Sequence, residues 1–457
     1  MNMILKGDIC YSKSPQELET VKNGYLVCEG ETVAGLFQEI PGTYRDFPVT
    51  DYSGHLIIPG LCDLHTHAPQ FAYRGLGLDM QLLEWLEKYA FPEEAKYADP
   101  EYADIAYSLF ADSLKRGATT RACIYATVHN QSTIMLMEKL EESGLVTFVG
   151  KVSMDRNCPP SLCEPSADEA YLAAKDWIEN TKGRFENTSP ILTPRFLPSC
   201  SDELMRKLKE LQREYNLPVQ SHLSENRDEA TWVRELCPEA GSYGGAYDSF
   251  GLFGGPGTPT VMAHCVLSEG AEEDLIKDNG VCVAHCPQSN TNLSSGIAPV
   301  RRFLRRGIRV GLGSDVAGGC HMSIFRAMSD ALQVSKLYWR LVEQNEAPLT
   351  IPEVFYLGTA GGGGFFGKAG SFEAGYEFDA VVIDDRLISS PDNPGGGDRN
   401  ADEKHSAGKN HKTVDTHSSV PDRLSRVIFL SGDNCIIDKY VRGKRIGGSV
   451  SWEAYRR

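Results

Sequence analysis

The chain has 457 residues and a formal net charge of −16 at pH 7, with 41% hydrophobic and 24% charged residues. That composition supports a sizeable core, and the length accommodates one large domain plus a smaller partner. The acidic balance excludes nucleic acid and an anionic membrane as partners, since both carry like charge; a neutral small molecule fits better.

The amino terminus lacks the continuous apolar segment of a signal peptide. No run approaches the roughly 20 apolar residues of a membrane span, so a cytoplasmic protein is expected. Thirteen cysteines, an odd number without a paired framework, point to reduced thiols. Cys282 and Cys286 flank His285 at a spacing that matches no zinc ribbon, and they read as small buried hydrophobes.

Residues 1–58 alternate short β-rich runs, such as Gly24 to Cys28 and His55 to Ile58, with Gly and Pro punctuation, which predicts a small sheet. After Pro59 and Gly60 the texture changes. Apolar strand-like runs at Thr119 to Ala126, Val146 to Val152, Ile191 to Arg195, Val219 to His222, Val261 to His264, Val281 to His285 and Val310 to Ser314 alternate with helical patterns. Strand then helix, repeated about eight times over residues 59–357, predicts an α/β fold of the (β/α)8 TIM-barrel type. A doubly wound open sheet competes, but no Gly-rich phosphate fingerprint follows the first strand. Asp202 to Leu211 predicts a coating helix, with Ser201 or Asp202 as N-cap.

Beyond residue 358 the texture is β-like again, at Phe378 to Ile383 and Tyr440 to Arg445. Residues 1–58 and 358–457 are therefore expected to meet in one small β-sandwich domain. Within it, residues 389–421 are too polar to offset their ordering entropy and predict a mobile loop. Its His405, His411 and His417 are irregularly spaced and read as solvated surface rather than a metal tract.

The sharpest chemical signal is Pro59 to His67, which ends in His65-Thr66-His67. In a strand, residues i and i+2 point to the same side, so two imidazoles can face one ion. Alone, such a pair is weak. His222, His264 and Asp315 strengthen it, because each closes a predicted parallel strand, and in a barrel those carboxyl ends converge on the catalytic face. Three imidazoles and a carboxylate suit Zn2+, or Fe2+ where availability favours it. Glu225, three residues past His222, is placed to shuttle protons beside such an ion; its bland alternative is a first-turn helix residue favoured by the macrodipole.

Pro59 to His67, His222 to Glu225, Ala263 to Cys265, His285 to Asn290 and Gly311 to Gly319 together resemble the amidohydrolase superfamily. Within it, His67-Ala68-Pro69-Gln70 and Pro194-Arg195-Phe196 resemble the purine-reading elements of guanine deaminases. The resemblance implies hydrolysis of guanine to xanthine and ammonia in purine catabolism or salvage. It also implies one ion per subunit, held by His65, His67, His222 and Asp315, and a homodimer. Gln70 and Arg195 would then hydrogen-bond the base, Arg195 at its carbonyl oxygen, and Phe196 would shape a pocket also lined by His222, Glu225 and Asp315. A side-chain amide and a guanidinium suit the mixed donor and acceptor edge of a neutral purine. The mononuclear pattern argues against Lys151 as a carboxylated bridge between two metals. His285 and His321 are expected to be structural or to lie behind the ligands. Two features depart from the family pattern: a longer, more polar linker after Ser389, and the glycine run 361–364.

In the mechanism expected from these residues, the ion activates a water and Asp315 takes its proton, while His264 orients the attacking oxygen. Whether His264 also ligates stays open. Glu225 protonates the ring nitrogen and then the leaving amine. Two rival readings remain: an amidohydrolase for another aminated heterocycle, such as 8-oxoguanine, another aminopurine, a pyrimidine or a triazine, and a non-catalytic scaffold on the same fold.

Overall fold

The computed structural model describes residues 1–386, 419–430 and 433–447. Seven strands from both chain ends form one mixed sheet: β1 (Met3–Ser14), β2 (Glu17–Glu29), β3 (Thr32–Phe37), β4 (Val49–Pro59), and, past the middle of the chain, Ala380–Ile383, Ile436–Val441 and Lys444–Arg445. β1 pairs with β2 antiparallel and with β4 parallel, and β4 receives Ala380–Ile383 antiparallel, which is how the two ends meet. The period of 2 along these strands divides two cores. Leu56, Ile58, Val381 and Ile383 join the main core, while Ile57, Ala380 and Val382 pack on the other side with Leu5, Phe372 and Phe378.

Between the two ends run β5 (Leu61–His67), β6 (Thr119–Tyr125), β7 (Val146–Gly150), β8 (Val152–Ser153), β9 (Thr188–Pro190), β10 (Thr193–Pro194), β11 (Val219–Leu223), β12 (Thr260–His264), β13 (Cys282–His285) and β14 (Arg309–Leu312). The late strands are β15 (Ala380–Ile383), β16 (Ile436–Val441) and β17 (Lys444–Arg445). Two four-stranded parallel sheets result, in the orders β5-β6-β7-β9 and β11-β12-β13-β14, with a short β8-β10 pair beside them. A parallel bridge between Leu192 and Val219 joins them on one side. On the other, Asp315 N, past the end of β14, donates to His65 O within β5 at 2.8 Å. There Gly311 has no room for a side chain, since a Cβ would lie 2.5 Å from Leu64 and 2.7 Å from Gly362. Of the glycine run 361–364, Gly361 and Gly362 serve this close approach, a Cβ there lying 2.7 Å from Val310 O and 2.9 Å from Cys62. Leu64, Cys123, Ile191, Val261, Ala263, Cys282 and Ala284, from strands of both sheets and the Ile191 segment, share one inner cluster.

Several sequence expectations shift in detail. The run from Val146 to Val152 is two strands, β7 and β8, rather than one. Ile191 to Arg195 contributes only the two residues of β10, with Leu192 making an isolated parallel bridge to Val219. The Asp202–Tyr215 helix forms with Ser201 as its cap, accepting from Leu204 N. Of the polar run 389–421, residues 389–418, with His405, His411 and His417, lie outside the described residues. The expected loop does end early: Val420 and Pro421 open the helix Val420–Leu430, and Val420 is buried. All thirteen cysteines are free thiols. Among the described residues no helix is long and apolar enough to cross a membrane.

Candidate active site

β5 delivers His65 and His67 from one face, as the spacing of two requires, and β11 delivers His222. The Nε2 atoms of His65 and His67 lie 3.2 Å apart, and those of His67 and His222 3.3 Å apart. Tyr125 packs its ring against all three imidazoles, at 4.8, 4.5 and 5.0 Å between centroids. The Nδ1 of His222 lies 2.5 Å from the carbonyl of Arg195, which accepts its proton and leaves the Nε2 lone pair bare. Burial, reinforced by the neighbouring imidazoles, pushes His67 and His222 well below the ordinary histidine range, so they are neutral. Neutral imidazoles that turn their Nε2 atoms to one point can direct those lone pairs at a single cation. The donor set therefore fits a divalent ion.

Asp315 completes the cluster, with Oδ1 3.1 Å from His65 Nε2 and 3.5 Å from His67 Nε2. Burial pushes its carboxyl up, but the imidazoles of His65, His264 and His67 outweigh that and hold it well below the usual carboxylate range. Its backbone is left-handed at φ 47°, a conformation a non-glycine residue keeps only when its surroundings impose it. Those surroundings include Asp63, whose carboxylate accepts Ser314 N at 3.0 Å, Ser314 Oγ at 2.5 Å and His65 N at 3.2 Å, tying the Asp315 loop to β5.

His264 ends β12 with φ 74°, and its Nδ1 donates to Asn290 Oδ1 at 2.9 Å. Its Nε2 faces Glu225 Oε2 at 3.5 Å and Asp315 Oδ2 at 3.8 Å and has no hydrogen-bond partner among the described residues. Glu225 is buried, and its Oε1 is also unpartnered there. Burial, with the nearby carboxyls of Glu229 and Asp315, pushes Glu225 well above the carboxylate range, which favours its acid form. Cys286 lies within ligand reach of His65, His264 and Asp315. Burial and then Asp315 raise its thiol far above the usual range, however, and a protonated thiol is a poor ligand.

Gln70 follows β5 in a buried turn, and Arg195 and Phe196 follow β10; all three are buried. Gln70 Oε1 accepts Ala317 N at 2.9 Å, and its Nε2 donates to Glu94 Oε1 at 2.8 Å. Arg195 donates to both oxygens of Glu94, at 2.5 and 3.0 Å. Phe196 meets Trp232 edge-on at 6.2 Å. All nine predicted site residues thus gather at one end of the parallel strands. His285, buried behind them, is pushed by burial down to about 3, while His321 is exposed. Lys151 is paired with Glu164, away from the cluster. Sequence reasoning missed Glu94, Asp63 and Tyr125. Asp63, two residues before His65 on the same strand face, is the one that spacing alone could have flagged.

Comparison with known proteins identifies the family. The model of the amidohydrolase family matches residues 56–446. A guanine deaminase of Dictyostelium discoideum is 33% identical over 467 residues, covering 97% of this chain and 98% of that protein. A guanine deaminase of Escherichia coli K12 is 34% identical, covering 93% and 90%. The crystal structure of a guanine deaminase from C. acetobutylicum, with guanine bound in its active site, superimposes with a TM-score of 0.89 at 41% identity, covering 97% of this chain and 100% of that one. The chain belongs to the amidohydrolase family and, within it, to the guanine deaminases.

Proposed function

We propose that this protein hydrolyses the exocyclic C–N bond of guanine, so that guanine and water give xanthine and ammonia. The observation that carries the reading is the physical link between the histidine–aspartate cluster and the purine-reading pair. Gln70 is bonded two residues past Asp315, and the carbonyl of Arg195 holds His222.

Zn2+, one per subunit, with Fe2+ as the other ion that suits this donor set, would be held by His65, His67, His222 and Asp315, and when bound lowers the pKa of a coordinated water enough to supply a nucleophile at neutral pH. Asp315, ionised, accepts the first proton of the attacking water. His264 aims its bare Nε2 at the attacking oxygen, because Asn290 occupies Nδ1. Glu225, protonated, donates to the ring nitrogen beside the amino-bearing carbon. It then takes the second proton from the attacking oxygen and passes it to the amine, so that ammonia rather than amide ion departs, and the first proton returns from Asp315 to Glu225, restoring both groups for the next turnover. Arg195 and Gln70 bond the base, Arg195 at its carbonyl oxygen, and Phe196 walls the pocket.

The same reading closes the two parallel sheets into one (β/α)8 barrel over residues 59–357, supported by the contacts at both of their edges. The described residues of 1–58 and 358–457 then make the β-sandwich domain by folding their one seven-stranded sheet over the core of Leu5, Ile57, Phe372 and Phe378, and the protein works in the cytoplasm as a homodimer.

The test is ammonia release from zinc-loaded protein across guanine, 8-oxoguanine, adenine, cytosine and a triazine. Release strongest with guanine supports the proposal. Release strongest with another ring overturns the substrate and keeps the chemistry, and none at all points to a scaffold.

A further inference from the structure

Two adjacent glutamates in the helix Phe91–Ala95 have opposite fates. Glu93 turns outward to Lys96 and Tyr102. Glu94 turns inward, is 1% exposed, and spends both oxygens on the purine-reading pair: Oε1 accepts Gln70 Nε2 at 2.8 Å and Arg195 at 3.0 Å, and Oε2 accepts Arg195 at 2.5 Å. The Arg195 guanidinium also lies 5.1 Å from the Phe91 ring centroid, so the same short helix seats it from two sides.

A carboxylate accepts only, so it compels the NH2 end of the Gln70 amide to face it, while the Ala317 N–H claims the carbonyl end. The amide is thus locked in one of its two orientations. Among the described residues, the guanidinium of Arg195 and the amide nitrogen of Gln70 have no other hydrogen-bond partner, so their remaining N–H groups are free to meet a ligand.

We propose that Glu94 is the positioning residue of this pair, fixing Arg195 and Gln70 so that they present N–H donors and thereby select a base bearing a carbonyl oxygen, rather than an amino group, at that edge. The proposal rests on the guanine reading above and adds its specificity device. Guanine carries that oxygen at C6, and 2,6-diaminopurine is the matched probe, with an amino group in its place.

The experiment compares wild type, Glu94→Gln and Glu94→Asp in steady-state ammonia release from guanine and from 2,6-diaminopurine, with metal content and thermal unfolding as controls. Glu94→Gln frees the Gln70 amide to flip. Its kcat/KM for guanine should fall about 100-fold, mostly through KM, as expected for a misplaced binding group. Its preference for guanine over 2,6-diaminopurine should fall about tenfold, the worth of one hydrogen bond. Metal content should be unchanged. Glu94→Asp keeps the buried charge opposite Arg195, which protects folding should the first variant not fold, but it is one methylene short of holding both partners; it should raise KM with kcat nearly kept. Wild-type activity on guanine combined with an unchanged KM and an unchanged preference in a folded variant would overturn the role of Glu94 alone. No wild-type activity on guanine would overturn the guanine reading and this proposal with it.

Discussion

Glu225 and Asp315 are both buried carboxyls a few ångströms from His264, yet their surroundings push them in opposite directions, one toward the acid and the other toward the anion. Such a split matches the roles proposed for them, Glu225 as proton donor and Asp315 as proton acceptor. Glu225→Gln preserves shape and leaves the ligands untouched. It should keep its metal, measured by elemental analysis, and lose about 10²–10⁴ in kcat, the usual worth of a general acid; near-normal turnover in that variant would remove Glu225 from the mechanism. At the reading end, Arg195→Lys exchanges a planar fork for a point charge that cannot satisfy both Glu94 oxygens. KM for guanine should rise about tenfold or more, the cost of one or two hydrogen bonds, with a smaller change in kcat. The convergence of His65, His67, His222 and Asp315 was legible in the sequence because period 2 on β5 and the strand-end positions of His222 and Asp315 are one-dimensional signals. Glu94 was not. Nothing in Phe91-Pro92-Glu93-Glu94-Ala95 tells which glutamate faces inward, since that depends on how a five-residue helix docks against strands about 100 positions away.

At the scale of elements, the site depends on how the loop after β14 is fastened to β5. Asp63 accepts three hydrogen bonds that join Ser314 to the backbone of His65. Asp63→Asn would turn one acceptor into a donor facing N–H groups, loosening Asp315 without replacing any proposed ligand. Metal affinity, measured by competition with a chromophoric chelator, should fall about 10–100-fold, as for other groups that orient ligands; unchanged affinity would contradict the tether. The strands themselves were read well where they are buried on both faces as continuous apolar runs. They were read poorly between Val146 and Arg195. There the ladder runs in two- and three-residue pieces, β8, β9 and β10, that sequence texture merges.

Over the whole molecule, the parallel sheets and the end sheet are stitched together by buried charge. Arg121, on β6 and 1% exposed, donates to Asp379 at 2.6 Å and to Glu377 at 2.8 Å, and Lys439, on β16, donates to the carbonyls of Leu114, Gly117 and Thr119. Asp379→Ala leaves a buried guanidinium short of its nearest anion, which costs about 3–5 kcal/mol in comparable pairs. Thermal unfolding should show that loss while KM for guanine holds, because no atom of the site moves; an unshifted transition would mean that the two parts do not depend on this pair. The meeting of the chain ends was legible as two separated β-rich stretches, whereas their union in a single seven-stranded sheet was set by pairings between residues more than 300 positions apart. The most direct test of the whole account is xanthine formation from guanine by protein stripped with a chelator and then titrated with Zn2+. Activity absent after stripping and restored in proportion to zinc up to one equivalent per subunit is the predicted result; undiminished activity in the stripped protein would contradict it.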